Sequence, residues 1–91
     1  MTYTVHVMIS GIVQGVWFRA STKKQAEILG VHGWIRNTDD GRVEGIFEGE
    51  KDMVEQLVKW CHSGPPESRV KKVVVIPMNT TVGCPSFEIK H

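Results

Sequence analysis

No carboxylate side chain occurs in this chain before Glu27, whereas Arg19, Lys23 and Lys24 all precede it. An anion reaching the N-terminal region therefore meets basic groups and no nearby acid in sequence. Cysteine is scarce. Cys61 and Cys84 are too few for the disulfide scaffold of a small secreted domain. Cys61 falls on the apolar face of a helix and Cys84 in a loop beside Gly83 and Pro85. One bridge or two thiols both fit that placement, and a cytosolic chain favours the thiols. Neither has neighbours that make it a nucleophile. The histidines, His6, His32, His62 and His91, stand singly, with no His/Cys/Asp cluster at metal spacing, so no metal and no cofactor are expected. Long apolar runs are missing too. The longest, Val73 to Ile76, stops at Pro77, far short of a membrane span. The N-terminus has no charged segment followed by a long apolar one, which points to the cytoplasm. There is no basic excess: the net charge is +1 and Lys and Arg are scattered. That argues against a nucleic-acid partner.

What remains is an ordinary soluble composition, 41% hydrophobic and 23% charged over 91 residues. That length makes one domain, residues 1–91. Nothing in it demands a partner, and a monomer is expected. Tyr3, Val5, Val7 and Ile9 alternate with Thr4, His6, Met8 and Ser10, the pattern of a strand buried on one side. Ala20 to Leu29 reads as a helix, with Thr22, Ala26 and Leu29 on one face and Gly30 as its stop. Trp34–Thr38 and Arg42–Glu48 are short strands around Asp39-Asp40-Gly41, a hairpin signal. A second helix runs from Asp52 to His62, burying Met53, Val54, Leu57, Val58 and Cys61. Val70–Ile76 and Ser86–Lys90 are the last strands. The order strand, helix, strand, strand, helix, strand is the split βαβ pattern, an α+β class with an antiparallel sheet and two helices on one face. In that pattern the first strand lies centrally beside the third. The loop after it then opens near the end of the second strand, at Asn37.

That loop is the most informative segment: Gly11-Ile12-Val13-Gln14-Gly15-Val16-Trp17-Phe18-Arg19. A glycine-bracketed turn from strand to helix aims backbone N–H groups at one point, an anion nest at the positive end of a helix. Arg19 adds a planar charged fork suited to phosphoryl oxygens. Glycines here also serve as plain turn punctuation, and a single Arg as a solvated charge. The segment lacks the Gly-Lys-Ser/Thr ending of a Walker loop and the third glycine of a dinucleotide fingerprint.

The segment resembles the acylphosphatase signature, Gly-x-Val-Gln-Gly-Val-x-Phe-Arg, at every fixed position from Gly11 to Arg19. A second signature follows in Gly33-Trp34-Ile35-Arg36-Asn37-Thr38-Asp39-Asp40-Gly41-Arg42-Val43, closing with Gly49. Looser similarity extends through Gly64-Pro65-Pro66 and Phe87-Glu88-Ile89. The resemblance implies a ferredoxin-like βαββαβ sandwich with a short extra C-terminal strand, and hydrolysis of small-molecule acyl phosphates. It implies Arg19 and Asn37 as catalytic residues, Arg19 binding phosphate and Asn37 positioning water, with the substrate phosphate accepting the proton. The loop N–H groups across Gln14, Gly15, Val16, Trp17 and Phe18 are expected to bind substrate, and Thr38 to assist beside Asn37. A carboxylate leaving group, with a conjugate acid of pKa about 4, departs without a general acid. Two positions depart from common family usage. Trp17 stands where Gly is frequent, and its bulk is expected to narrow access to the loop or cover an apolar patch. His91 stands where many relatives have Tyr. The alternative is a non-catalytic phosphate-binding regulatory module on the same fold, which has no need of Asn37 or Thr38.

Overall fold

A computed structural model describes residues 2–91; Met1, the first residue of the expected domain, lies outside the described residues. The elements run β1 (Thr2–Ile12), α1 (Phe18–Leu29), β2 (His32–Asn37), β3 (Val43–Glu50), α2 (Lys51–Cys61), β4 (Arg69–Pro77) and β5 (Phe87–Lys90). They follow the expected order. β1 is longer than its alternating run because pairing with β4 continues past a bulge at Ser10/Gly11, to Ile12 opposite Arg69. α1 begins two residues earlier than Ala20, because Phe18 is drawn under the helix and buried.

One sheet of five strands is formed, in the order β4-β1-β3-β2-β5. β1 lies between β3 and β4, antiparallel to both, and β2 is antiparallel to β3. The expected antiparallel sheet comprises β1 to β4, and the short extra C-terminal strand joins it at the far edge. β5 runs parallel to β2, with Gly33 opposite Phe87 and Ile35 opposite Ile89. The reason is topological. β4 leaves the sheet at the end where β2 begins, so a chain crossing there must re-enter along β2. Glu48 at the end of β3 holds that crossing: it accepts from Thr4 Oγ1 at 2.7 Å and from the Val82 and Gly83 amides at 2.6 and 2.9 Å. Burial pushes the Glu48 carboxyl up, but the bonds from Val82, Thr4 and Gly83 outweigh it and hold the group below its ordinary range.

One face of the sheet carries both helices. Val5, Val7, Ile9, Ile35, Val43 and Phe47 meet Phe18 and Ala26 of α1 and Val54, Leu57 and Cys61 of α2 in a single core. The stripe expected on α2 is the one that packs, with Met53 and Val58 half-buried at its margins. Cys61 is a free thiol inside this core, and burial pushes its pKa up, which makes it inert; Cys84 is also free. On the open face Glu44 receives His6 Nε2 at 2.7 Å and Arg36 Nη2 at 2.6 Å. No helix among the described residues is long and apolar enough to cross a membrane. The three strands β1, β2 and β5 point the same way, so Ile12, Asn37 and Lys90 end at one edge of the sheet.

Candidate active site

The segment joining β1 to α1 is shaped by two glycines. At Gly11 (φ 125°) a Cβ would lie 2.1 Å from the Arg69 carbonyl oxygen, so only glycine lets β1 bulge against β4 there. Gly15 (φ 74°) turns the chain back toward the helix. Between them Val13 is buried and pins the loop to the core. Trp17 follows in the left-handed region (φ 66°, ψ 19°), the only non-glycine with positive φ among the described residues. For a bulky aromatic that conformation costs about 1–3 kcal/mol. The next residue, Phe18, packs its ring 5.7 Å from that of Trp60 and fixes the start of α1.

The beginning of α1 is electrostatically open. Trp17 occupies the N-cap without a side-chain hydrogen bond, and the first turn holds no acidic residue. The first intrahelical bond is Ser21 N–H to the Trp17 carbonyl at 2.9 Å, so the Phe18, Arg19 and Ala20 amides have no acceptor within the helix. Their partial positive charge adds to that of Arg19, which makes no ion pair among the described residues.

The loop is tied to the β2–β3 hairpin by Gln14. Its amide Nε2 donates to the Thr38 and Arg42 carbonyls, at 2.8 Å each. Those two residues close the hairpin turn, with Thr38 N–H donating to the Arg42 carbonyl at 2.8 Å. Thr38 Oγ1 donates to Asp40 Oδ1 and accepts from Arg42 N–H at 3.0 Å. Asp40 in turn accepts from Arg42 Nε at 2.9 Å. The Arg42 guanidinium, and then the Thr38 hydroxyl, hold the Asp40 carboxyl well below the usual carboxylate range. The turn is thus a small closed network, and Asn37 at the end of β2 projects from a rigid frame.

A pocket of about 320 Å³ opens between loop, helix and strand ends. Arg19 and Asn37 both line it, with Gly15 and Trp17 from the loop, Phe18 and Ala20 from α1, and Val13 beneath. Asn37 Oδ1 is buried there without any hydrogen-bond partner, the only such side-chain atom among the described residues. Buried polar atoms are nearly always paired, so an orphan acceptor sharing a pocket with a guanidinium that has no carboxylate partner marks a site made for something polar. The remaining wall comes from Ile89 of β5 and from His91 just after it, whose Nδ1 lies 3.4 Å from Arg19 Nη1.

Of the residues singled out in the sequence, Arg19, Asn37, Gly15, Trp17 and Phe18 therefore meet at one pocket. Gln14 and Thr38 do not line it: the Gln14 amide is a clamp and the Thr38 hydroxyl belongs to the hairpin turn. Val16 lines a neighbouring concavity instead. Trp17 is 76% exposed and lines both this pocket and the neighbouring concavity beside Pro65 and Pro66. Val13, Ala20, Ile89 and His91 line the pocket beyond the residues expected from the sequence. Only the parallel docking of β5 brings the last two there, and no local pattern in a four-residue strand signals its partner. No group of three or more His, Cys, Asp or Glu side chains suited to a metal ion occurs among the described residues.

A family model described as Acylphosphatase matches residues 5–89. The acylphosphatase of Rubrobacter xylanophilus is 53% identical over 89 residues, covering 98% of this chain and 81% of that protein. Among solved structures, an acylphosphatase from Bacillus subtilis aligns with a TM-score of 0.95 at 32% identity, over 100% of both chains. One from Coxiella burnetii gives 0.93 at 36% identity, over 98% of this chain and 93% of that one. A match that runs through both the loop and the hairpin, and through nearly the whole length besides, makes this chain a member of the acylphosphatase family.

Proposed function

We propose that the chain hydrolyses acyl phosphates at this pocket, giving a carboxylate and inorganic phosphate, with Arg19 and Asn37 as its catalytic residues. The observation that carries the reading is that Asn37, whose buried Oδ1 has no partner, lines the same pocket as Arg19. The Arg19 fork and the N–H groups of the loop and first helical turn bind the phosphoryl oxygens, most strongly as charge builds on them in the transition state. The Asn37 carboxamide, on the pocket wall, holds a water and aims its oxygen at phosphorus, in line with the scissile bond. A P–O bond forms to that water as the P–O bond to the acyl group breaks. The electron pair leaves on the carboxylate, and the water proton passes to a phosphate oxygen.

No general acid is needed, because a carboxylic acid of pKa about 4 is a good leaving group as its anion. That also removes the need for a metal to stabilise the leaving group. Phosphoryl transfer of this kind rests on positioning and electrostatics, which the loop and Asn37 supply. Gln14 acts on the reaction through the hairpin it clamps, and Thr38 through the turn it closes. Every group in this scheme comes from one chain, which supports a monomeric enzyme acting on a small molecule as one domain. The near-neutral charge and absence of long apolar runs support a cytoplasmic setting, without a nucleic acid or membrane partner.

Benzoyl phosphate in the presence of a chelator tests the reading, with Arg19→Ala as control. Rapid loss of the anhydride in the wild type, and its collapse in the folded variant, is the expected result. Binding of inorganic phosphate to the wild type without hydrolysis would instead make the domain a phosphate-binding module.

A further inference from the structure

The hydrolase reading concerns the phosphate half of the substrate; the other half of the pocket is apolar. Apart from Arg19, Asn37 and His91, every side chain lining it is hydrocarbon or aromatic. Val13 and Phe18 are buried and form its floor, so a ligand gains little new contact from them. Trp17 differs, since most of its ring is open to solvent at the pocket mouth. The same ring also lines a second concavity of about 250 Å³, beside Pro65 and Pro66. Arg19 is the one lysine or arginine at the pocket, and phosphate claims it. Lys23 is engaged by Glu27 at 2.6 Å, and Lys24 is not among the lining residues. An acyl group bearing its own carboxylate or phosphate thus finds no second counter-charge.

The backbone adds a separate observation. Trp17 sits in a left-handed conformation that glycine would adopt freely, and its ring is not repaid by burial. Strain that contributes nothing to the core points to a role outside it. An exposed aromatic face two residues from the phosphate-binding guanidinium is a platform for a flat, uncharged group attached to that phosphate.

We propose that Trp17 is a specificity-determining residue that stacks on the acyl group and selects aromatic or large apolar acyl phosphates over acetyl phosphate. The proposal rests on the hydrolase reading. Its measure is the ratio of kcat/KM for benzoyl phosphate to that for acetyl phosphate. Trp17→Gly, which tolerates the backbone conformation and so folds, should lower that ratio about five- to tenfold, the worth of one aromatic stack. The change should lie mainly in KM for benzoyl phosphate, and Trp17→Phe should restore most of the ratio. An unchanged ratio in Trp17→Gly, or parallel losses on both substrates, would overturn the proposal while leaving the hydrolase reading intact. Failure of the wild type to hydrolyse either substrate would remove the hydrolase reading and this inference with it.

Discussion

Replacing Asn37 by alanine should raise stability and abolish turnover in the same protein. Oδ1 of Asn37 is buried and has no partner, and a buried polar atom in that state costs about 1–3 kcal/mol. Alanine removes the atom and keeps Cβ, so the loss of packing is limited to contacts of a half-buried amide. Neither bond of the Gln14 clamp involves the Asn37 side chain, since both end on the Thr38 and Arg42 carbonyls. The frame around the site therefore survives the change. A net gain of about 1 kcal/mol corresponds to a rise in Tm of roughly 4–8 °C for a chain of this size. Turnover moves the other way. Water no longer held in line costs at least about 100-fold in kcat. Thermal melts and benzoyl phosphate hydrolysis on one preparation read both effects. A folded variant with wild-type turnover, or one that melts several degrees lower, would refute the argument.

Arg19→Lys keeps the charge and loses the fork, so it should cost about 100-fold in kcat/KM and weaken inhibition by inorganic phosphate. Gln14→Ala removes two bonds between loop and hairpin and should lower stability by about 1–2 kcal/mol in urea titrations. It should also reduce kcat although Gln14 lies outside the pocket lining; an unchanged kcat would show that the clamp does not position Asn37. Glu48 has a carboxyl pKa lowered on folding, so its contribution is complete above its ordinary value of 4.5 and fades as pH falls through the folded value. Stability of Glu48→Gln, followed from pH 7 downward, should accordingly start below wild type and show a shallower acid decline; parallel curves would exclude this role.

The sequence was most legible where one residue type has one physical use. Alternation at Val5, Val7 and Ile9 marks the buried face of β1, and the spacing of Val54, Leu57 and Cys61 marks that of α2. Asp40-Gly41 marks the hairpin, and there Gly41 adopts φ 89°. Arg19 and Asn37 were legible as a pair through two signatures, and the strand order then brings them to one pocket. What escaped was long-range geometry. Gln14 looks like a loop residue beside glycine, and only the folded hairpin offers its amide two carbonyls 2.8 Å away. The direction of β5 follows from where β4 ends, which no residue of Phe87–Lys90 encodes. Trp17 was visible as an unusual side chain, but its left-handed backbone is a property of the turn.

The position of β1 sets when activity can arise during folding. This strand sits mid-sheet, yet both its neighbours are distant in the chain: Val5 pairs with Phe47 on one side and Pro77 on the other. Each pairing closes a long loop before any contact repays the entropy, which makes assembly slow relative to a helical domain of equal size. A chain emerging from the ribosome has already released Arg19 and Asn37 when α2 is complete. It still lacks β4 to flank β1 and β5 to wall the pocket. Hydrolysis is thus a late event of folding, and the return of activity after dilution from denaturant would time the docking of the last two strands.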